Sequence, residues 1–338
     1  MITVMFSSLN RSAIVKMTLD SFARMRPPAE RWKLVTVDNG STDATAAVMR
    51  SYADRLPITV LTEPAPGKNR ALNQALAQAE GDLFIFCDDD ILVCEDWLSR
   101  WREVADGHRD FELFAGLTEA HWPCEPPQWI FDDIDSSLAF SLNNYAPEGP
   151  CDVTDMHGTN MAIRAEVFKS GIQFDTTIGP DGTANYAMGS ETELNRRLEG
   201  MGLKCWFARG PYVEHIIRPE QFEAEWLVRR AYRWGRGLPR LGLPYHSPYK
   251  KVALKNNLKS LFFPVMAPFL TTRGCIQRLW FWMADRGYED GVREMAGLKP
   301  RWRNEKGPII TPSFLSKIKA DPMMAHADAG HASSESPA

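Results

Sequence analysis

Residues 83–90 read Leu-Phe-Ile-Phe-Cys-Asp-Asp-Asp, a short apolar run that ends directly on three acids. The apolar part has the length and composition of a buried strand. Carboxylates two residues apart at a strand end, such as Asp88 and Asp90, can face one hard cation, and Mg²⁺ or Mn²⁺ held by few carboxylates also takes phosphate oxygens. The run therefore predicts a diphosphate ligand, although three acids after a strand also suit a solvated turn or a helix cap.

Strand and helix patterns alternate at short spacing before this run. The predicted strands are 2–9, 34–37 and 58–61, and the predicted helices are 12–22 and 68–79. Such alternation is typical of an α/β fold with a mostly parallel central sheet and helices on both faces, whose ligands bind at the carboxyl ends of the strands. Asp38 and the acids at 88–90 follow two of these strands, so they stand where this fold places its chemistry.

The patterns after residue 110 are less regular. Residues 111–150 contain Trp-Pro and Pro-Pro pairs and predict irregular structure with short helices. Helices are predicted near 165–170 and 191–201, and a strand near 203–207. From about residue 220 helices dominate, and the tail 319–338, rich in Ala, His, Ser and Pro, predicts disorder.

Composition excludes several classes of protein. With 338 residues, 44% hydrophobic and 24% charged, the chain is neither disordered nor fibrous, and it is long enough for one large α/β domain with an appendage. Its six cysteines include no C-x-x-C pair, so we expect reduced thiols and neither a zinc site nor a redox motif. The start of the chain lacks the basic residues and long apolar run of a signal peptide, so we expect a cytoplasmic protein.

Two further polar stretches could contact a nucleotide but also have ordinary structural explanations. Asp38 begins the sequence Asp-Asn-Gly-Ser-Thr-Asp, which is good turn and cap chemistry, with Gly40 free to adopt a positive φ. Lys68-Asn69-Arg70 at a predicted helix N-terminus offers cations and free amide donors to a phosphate, although basic residues there are more often solvated. Neither stretch alone decides the function.

Seven short stretches together resemble glycosyltransferase family 2, in that family's order and over about residues 1–235. They are Ser-Ser-Leu-Asn-Arg (7–11), Val-Asp-Asn-Gly-Ser-Thr-Asp (37–43), Gly-Lys-Asn-Arg-Ala-Leu-Asn (67–73), Asp-Asp-Asp (88–90), Gly-Thr-Asn-Met-Ala-Ile-Arg (158–164), Gly-Ser-Glu-Thr-Glu-Leu (189–194) and Val-Glu-His (213–215). The resemblance implies a Rossmann-like nucleotide-diphospho-sugar transferase (GT-A) fold in a catalytic domain at 1–220, with a helical C-terminal extension at 221–318. It further implies a nucleotide-binding half at 1–95 and an acceptor-binding half at 96–220.

The activity that this resemblance implies is inverting transfer of a sugar from a nucleotide diphosphate, most commonly UDP, to an acceptor hydroxyl. By the same resemblance, Asp38 matches the acid that contacts the nucleotide base. Ser8 and Arg11 fall where the loop after the first strand meets the nucleotide, and Lys68 falls near the phosphates.

The resemblance also implies a divalent metal cofactor, Mn²⁺ or Mg²⁺, on the diphosphate of the nucleotide-sugar donor. Asp88, Asp89 and Asp90 match the family's metal and diphosphate motif. Asp90 is the direct metal ligand, Asp88 is a further metal residue that also contacts the diphosphate, and Asp89 belongs to the nucleotide contacts. His215 matches a later histidine that can complete the metal shell.

The catalytic base of the family is usually the Asp of a Gly-Glu-Asp-Thr-Glu-Leu type sequence. Here Glu191 stands at the base position and Ser190 where an acid is common. Glutamate keeps the carboxylate but lengthens its reach by one methylene group, and its alternative role is a solvated first helical turn. Asn160, in the loop that the family places beside the donor and acceptor sugars, is the candidate for bonding sugar hydroxyls, with an ordinary turn as the alternative.

A basic and apolar region extends from Trp226 to Met283. It holds 11 Lys or Arg and no acid, against 28 basic and 43 acidic residues elsewhere. Its apolar runs at 261–270 and 279–283 are too short to span a bilayer, but with their basic flanks they fit an interfacial element on an anionic cytoplasmic leaflet. Alternatively, these helices pack on the catalytic domain and the charges only solvate them. The region has no nucleic-acid recognition motif, so we expect no nucleic-acid partner.

Two other functions compete with glycosyl transfer to a glycan or lipid-linked acceptor. A sugar-phosphate nucleotidyltransferase would need a Gly-rich loop near the N-terminus, and residues 7–11 do not form one. A non-catalytic nucleotide-sugar or membrane-binding protein would keep Asp38 and Asp90 but could dispense with Glu191. The carboxylate at 191 is present, so the sequence favours catalysis.

Overall fold

A mixed nine-stranded sheet organises the first two thirds of the chain. The computed structural model describes residues 1–126, 130–131, 134–243, 245–266 and 275–302. The strands are β1 (Ile2–Ser8), β2 (Trp32–Asp38), β3 (Ile58–Thr62), β4 (Leu83–Cys87), β5 (Ile91–Val93), β6 (Leu113–His121), β7 (Gly149–Cys151), β8 (Asn160–Arg164) and β9 (Cys205–Ile216). The helices are α1 (Ser12–Arg24), α2 (Thr45–Arg50), α3 (Lys68–Leu76), α4 (Trp97–Gly107), α5 (Ser136–Phe140), α6 (Ala165–Phe168), α7 (Ser190–Gly200), α8 (Ala224–Gly237), α9 (Tyr249–Met266) and α10 (Cys275–Met295).

The strand order is β3-β2-β1-β4-β8-β6-β9-β5, with β7 also paired to β9. Strands β3, β2, β1 and β4 run parallel to one another, as do β6 and β9, whereas β8, β5 and β7 are antiparallel to their neighbours. The register of β1 and β2 places Ser8 opposite Asp38. The predicted α/β fold is confirmed, and two of the predicted nucleotide contacts stand side by side at one edge of the sheet.

Helices cover both faces of this sheet because successive side chains of a strand point to opposite faces. In β1, Val4 and Phe6 belong to a core that α1 and α4 share, in which Trp97 is fully buried. Met5 belongs to the opposite core, together with Leu72 of α3 and Leu194 of α7. The helices α3 and α7, which carry Lys68 and Glu191, therefore lie on the same face of the sheet.

The irregular structure predicted for 111–150 is wrong at its start. Residues 113–121 form β6, which lies between β8 and β9 in the middle of the sheet, and Leu113 to Thr118 are buried. Gly116 permits this packing, because a Cβ there would lie 2.3 Å from the Asn160 amide nitrogen. The predicted strand near 203–207 is the first part of a longer strand, since β9 continues to Ile216 past a register shift opposite Gly116 and Thr118.

The chain forms two compact units. The first comprises residues 1–121, 140–183 and 189–216, and the second comprises 122–139, 184–188 and the residues from 217 onward. The predicted tail at 319–338 lies outside the described residues. In the part of the chain that the structure describes, no helix is long and apolar enough to cross a bilayer.

Within the second unit, acids of α10 balance much of the basic region. Arg236 makes a bidentate ion pair with Glu294, with N–O distances of 2.8 and 2.6 Å, and Lys255 lies 3.0 Å from the fully buried Asp285. The interfacial interpretation of the run at 279–283 is wrong, because four of its five side chains are buried in the unit and only Phe281 is exposed. Of the run at 261–270, residues 267–270 lie outside the described residues.

Candidate active site

The three acids that follow β4 are held by cations and hydroxyls of the first unit. Asp89 and Asp90 are each only 5% exposed. Arg11 Nη1 donates to Asp89 Oδ1 at 2.8 Å and to Asp90 Oδ2 at 2.7 Å, and Ser8 Oγ donates a short hydrogen bond to Asp89 Oδ2. Burial raises the pKa of Asp89, which the positive charge of Arg11 opposes. Arg11 is thus the counter-charge that allows two neighbouring carboxylates to be buried together.

Asp90 meets His215 because the short strand β5 pairs with the end of β9. Ile91 of β5 stands opposite His215 of β9, and the Ile216 amide donates to the Asp90 carbonyl at 2.7 Å. His215 Nε2 lies 3.3 Å from Asp90 Oδ1, while Nδ1 lies 2.7 Å from the Phe140 carbonyl oxygen. Because a carbonyl only accepts, Nδ1 carries a proton and Nε2 faces the carboxylate. Burial lowers the pKa of His215, but the charge and hydrogen bond of Asp90, the charge of Asp88 and the hydrogen bond with Phe140 together raise the pKa above its ordinary value.

Asp90 and His215 are the groups that could hold a divalent cation. The hydrogen bond from His215 Nδ1 to a backbone carbonyl is the support that orients a metal-binding histidine. Among the described residues, no three His, Cys, Asp or Glu side chains form a complete protein cage for a metal. Mg²⁺ and similar ions bind through one or two protein groups and take their other ligands from phosphates and water. This donor pair therefore fits a cation that binds together with a diphosphate.

Lys68 joins the acids of β4 to the candidate base. Its Nζ lies 2.5 Å from Asp88 Oδ1. Burial lowers the pKa of Lys68, but the charges of Asp88 and Glu191 outweigh burial and raise the pKa above its ordinary value. Gly179 lies between α3 and α7, because a Cβ there would lie within 3.5 Å of both Asn69 Nδ2 and Ser190 Oγ. The first turns of α3 and α7 therefore lie close together, and the role of Glu191 as the base stays a prediction.

Glycines shape the space around Glu191. A Cβ on Gly158 would lie 3.2 to 3.5 Å from Cδ, Oε1 and Cγ of Glu191, so the glutamate side chain lies directly over a residue without a side chain. At the start of α7, a Cβ on Gly179 would lie 2.0 Å from Ser190 Oγ, and Gly179 also has a φ of +99°. The loop before α7 can pack this closely only because these positions are glycine.

Asp38 is buried at the end of β2 and shapes the turn that follows. The Ser41 amide donates to Asp38 Oδ1 at 3.3 Å, and Gly40 has a φ of +79°. A Cβ on Gly40 would lie 2.9 Å from the Pro64 carbonyl oxygen. The turn chemistry that the sequence offered as one alternative is therefore present here. The contact of Asp38 with a nucleotide base stays a prediction.

Asn160 does not reach the site as the sequence suggested. Its side chain is fully buried, its Nδ2 donates to the carbonyls of Leu117 and Pro211 at 3.0 and 2.7 Å, and its Oδ1 accepts from Trp97 Nε1 at 3.2 Å. Both amide protons and the oxygen are engaged in tying β8 to β6 and β9. The predicted sugar contact is corrected to a structural role, since no donor of this amide is left for a sugar hydroxyl.

The sequence missed the role of two asparagines on α3. Asn69 Nδ2 donates to the carbonyls of Asp175 and Ile178 at 2.6 and 3.0 Å. Asn73 bonds both backbone groups of Phe174, each at 2.9 Å. The Lys68 amide donates to the Pro180 carbonyl, so it is not the free phosphate donor that the sequence predicted. Amides four residues apart on a buried helix face were the signal for this clamp.

Comparison with known proteins gives this site its context. The family model described as glycosyl transferase family 2 matches residues 3–171. The succinoglycan biosynthesis protein ExoM of Rhizobium meliloti is 24% identical over 229 residues, which cover 66% of this chain and 70% of that protein. Validoxylamine A glucosyltransferase of Streptomyces hygroscopicus subsp. jinggangensis is 34% identical over 128 residues, 37% of this chain and 30% of that protein. This chain thus spans less than a third of the length of the second relative.

Solved structures support the fold. The mannosyltransferase PcManGT from Pyrobaculum calidifontis, solved with GDP-Man and Mn²⁺, superposes with a TM-score of 0.58 at 17% identity and 87% coverage of both chains. At that identity the likeness establishes the GT-A fold and no more. With the family model over half of the chain and the carboxylates of its motifs gathered in one unit, the chain belongs to glycosyl transferase family 2.

Proposed function

We propose that this chain is an inverting glycosyltransferase that moves a sugar from a UDP-sugar to a hydroxyl of a glycan or lipid-linked acceptor. Glu191 is the general base, and a divalent metal binds the diphosphate of the donor. Asp90 and His215 hold that metal beside Asp88. The reaction takes place at the cytoplasmic face of a membrane, where the protein is peripheral.

One observation carries the proposal. Lys68 pairs with Asp88, and the first turns of the helices that carry Lys68 and Glu191 meet at Gly179, which lies beside both Asn69 and Ser190. The candidate base of one motif therefore lies near the diphosphate motif of another. Transfer needs this arrangement, because the base must act on an acceptor beside the sugar whose diphosphate is leaving.

The mechanism follows from the charges that develop. Breaking the bond from the anomeric carbon to phosphate builds negative charge on the diphosphate and positive charge on the sugar. A bound divalent ion would supply Lewis-acid stabilisation of that leaving group. Lys68 and Arg11 would donate charge-assisted hydrogen bonds to phosphate oxygens in place of the carboxylates that they now contact. Glu191 would accept the proton of the acceptor hydroxyl, a role typically worth about 10²- to 10⁴-fold in rate.

A single displacement inverts the anomeric carbon, so a UDP-α-sugar would give a β-linkage without a covalent intermediate. The relatives favour a glycan acceptor: ExoM is named for succinoglycan biosynthesis, and TarS of Staphylococcus aureus is named a poly(ribitol-phosphate) β-N-acetylglucosaminyltransferase. TarS has been solved in complex with UDP, and PcManGT in complex with GDP-Man. UDP is therefore the first donor nucleotide to test, with GDP as its competitor.

A donor screen tests the proposal. Purified protein is incubated with UDP-, GDP- and dTDP-sugars, with Mn²⁺, Mg²⁺ or EDTA, and with or without a membrane extract as the source of acceptor. We expect release of UDP that needs a divalent ion and increases with the extract. Release of GDP or dTDP alone would correct the nucleotide, and full turnover in EDTA would remove the metal from the proposal.

Linkage analysis of the product tests the stereochemistry. NMR coupling constants at the anomeric position should report inversion. Retention of configuration would rule out a single displacement, and Glu191 would then have to be reassigned. The competing nucleotidyltransferase and binding-protein functions have lost their support, because the chain belongs to a glycosyltransferase family.

A further inference from the structure

Helix α9 buries polar side chains and exposes large apolar ones. Its buried face carries Val252 and Asn256, both fully buried, followed by Ser260. Asn256 Nδ2 donates to Glu289 Oε2 at 2.9 Å, and Ser260 Oγ accepts from Arg286 Nη2 at 2.8 Å. Polar contacts of these two residues with α10 thus make up much of the attachment of α9.

The opposite face of α9 exposes a stripe of large apolar side chains. Leu254, Leu258, Leu261 and Phe262 follow the spacing of one helix face and are 60%, 49%, 70% and 56% exposed. An ordinary surface helix has the reverse pattern, with leucines inside. A contiguous exposed apolar stripe marks a surface that binds an apolar partner.

Charge distinguishes between partners for this stripe, hereafter the α9 stripe. Helix α9 contains four lysines and no acid. Lys250 and Lys251 are exposed at its first turn, and Lys255, also exposed, lies beside the stripe. A second copy of the chain would bring equal rows of lysines against each other, which disfavours self-association. An anionic lipid surface offers both an apolar interior for the leucines and phosphates for the lysines.

We infer that the α9 stripe inserts into the interface of an anionic membrane, with Leu254, Leu258, Leu261 and Phe262 among the acyl chains and Lys250 and Lys251 at the headgroups. The inference extends the proposed function, on which it rests only for the location of the acceptor. It also narrows the interfacial element that the sequence predicted: the run at 279–283 is internal, whereas Leu261 and Phe262 of the run at 261–270 are exposed on α9 together with Leu254 and Leu258. The helix lies along the surface, since no described helix can cross it.

Vesicle flotation of the full-length chain tests this inference. The vesicles are phosphatidylcholine alone or phosphatidylcholine with phosphatidylglycerol, at low and at high salt. We expect flotation with the anionic vesicles, weakened by salt, and little with the neutral ones. The double variant Leu254→Ser/Leu258→Ser should bind about 100-fold more weakly, since it removes two inserted side chains. The matched control is Leu298→Ser, which changes a leucine of similar exposure, 52%, outside α9.

A second double variant tests the role of the lysine charges and leaves the apolar residues of the α9 stripe unchanged. Lys250→Glu/Lys251→Glu should lose anionic selectivity and bind more weakly by roughly 25-fold or more, about five-fold for each lysine charge lost. Lys299→Glu is its control. If the wild-type chain does not float, or if both double variants float as well as their controls, the inference is wrong. If the leucine variant instead converts a dimer into a monomer in sedimentation, the stripe binds a second copy.

Activity in the absence of vesicles separates this inference from the proposed function. UDP release is measured for every variant in the same preparations. Lost flotation with unchanged UDP release assigns the α9 stripe to the membrane alone. Flotation by a chain that releases no nucleotide from any donor would overturn the function while leaving the membrane surface in place.

Discussion

Asp89 and Asp90 are buried as neighbours at the end of β4, where like charges would repel at short range. The energy of bringing them together is offset by Arg11, which donates to both, and by Ser8, which donates to Asp89. The guanidinium of Arg11, which bridges the two carboxylates, could also bind other anions. At this scale the site is a set of exchangeable ion pairs, in which diphosphate oxygens would replace carboxylates around Arg11 and Lys68.

The first prediction concerns Glu191. Glu191→Gln keeps the size of the side chain over Gly158 but cannot accept a proton, so we expect transfer to fall by about 10²- to 10⁴-fold with nucleotide affinity kept within a few-fold. Steady-state transfer and calorimetric titration with UDP measure the two quantities. Glu193→Gln, two residues along the same helical turn and paired with Arg197, is the matched control and should transfer normally. Unimpaired transfer by Glu191→Gln would exclude it as the base.

The second prediction concerns Asp90 and His215. We expect Mn²⁺ to enhance UDP binding by the wild-type chain. Asp90→Asn keeps the shape of the side chain but removes its charge, so the variant should lose at least about tenfold of that enhancement. His215→Ala should lose part of it. Titration of UDP with and without Mn²⁺, together with Mn²⁺ electron paramagnetic resonance, measures the effect without relying on turnover. An unchanged Mn²⁺ dependence in both variants would place the metal elsewhere.

At the scale of elements, the first four strands were predictable because each is an apolar run that ends on polar residues. Strand β6 was not, since the prolines and tryptophans that follow it dominated the pattern. The contact of Asp90 with His215 depends on the antiparallel pairing of β5 with β9, between segments far apart in the chain. Neither periodicity nor spacing encodes that pairing, and the resemblance alone suggested that His215 belongs to the site. The sugar contact predicted for Asn160 was wrong for a related reason, because the carbonyls to which its amide donates belong to β6 and β9.

The third prediction concerns the clamp between α3 and the loop that leads to α7. Asn73→Ala removes both hydrogen bonds to Phe174 and leaves its backbone groups without these partners, which should lower the free energy of unfolding by about 1 to 3 kcal/mol. Because the loop leads to Glu191, we expect the transfer rate to fall more than the affinity for UDP. Gln78→Ala, at an exposed position just after α3, is the control. Equal losses of rate and affinity would make Asn73 a residue of stability alone.

At the scale of the whole molecule, the chain consists of a unit that carries the transferase residues and a helical unit with its own interior. In the second unit, α8 and α10 touch through backbone: a Cβ on Gly287 would lie 2.0 Å from the Tyr232 carbonyl oxygen, and one on Gly235 would lie 2.1 Å from that of Ala284. Glycine at these positions is therefore a packing requirement, because any side chain would push the helices apart.

The last prediction uses this division. The proposed function has nucleotide bind the folded first unit, so UDP with Mn²⁺ at about 100 times its Kd should stabilise that unit by about 2.7 kcal/mol. Gly287→Ala should destabilise the second unit by about 1 to 3 kcal/mol through overpacking, whereas Gly200→Ala, where a Cβ meets open space, should not. Denaturant titration followed by tryptophan fluorescence should then show two transitions, one moved by UDP and the other by Gly287→Ala. If both changes move one and the same transition, the units fold as a single cooperative body.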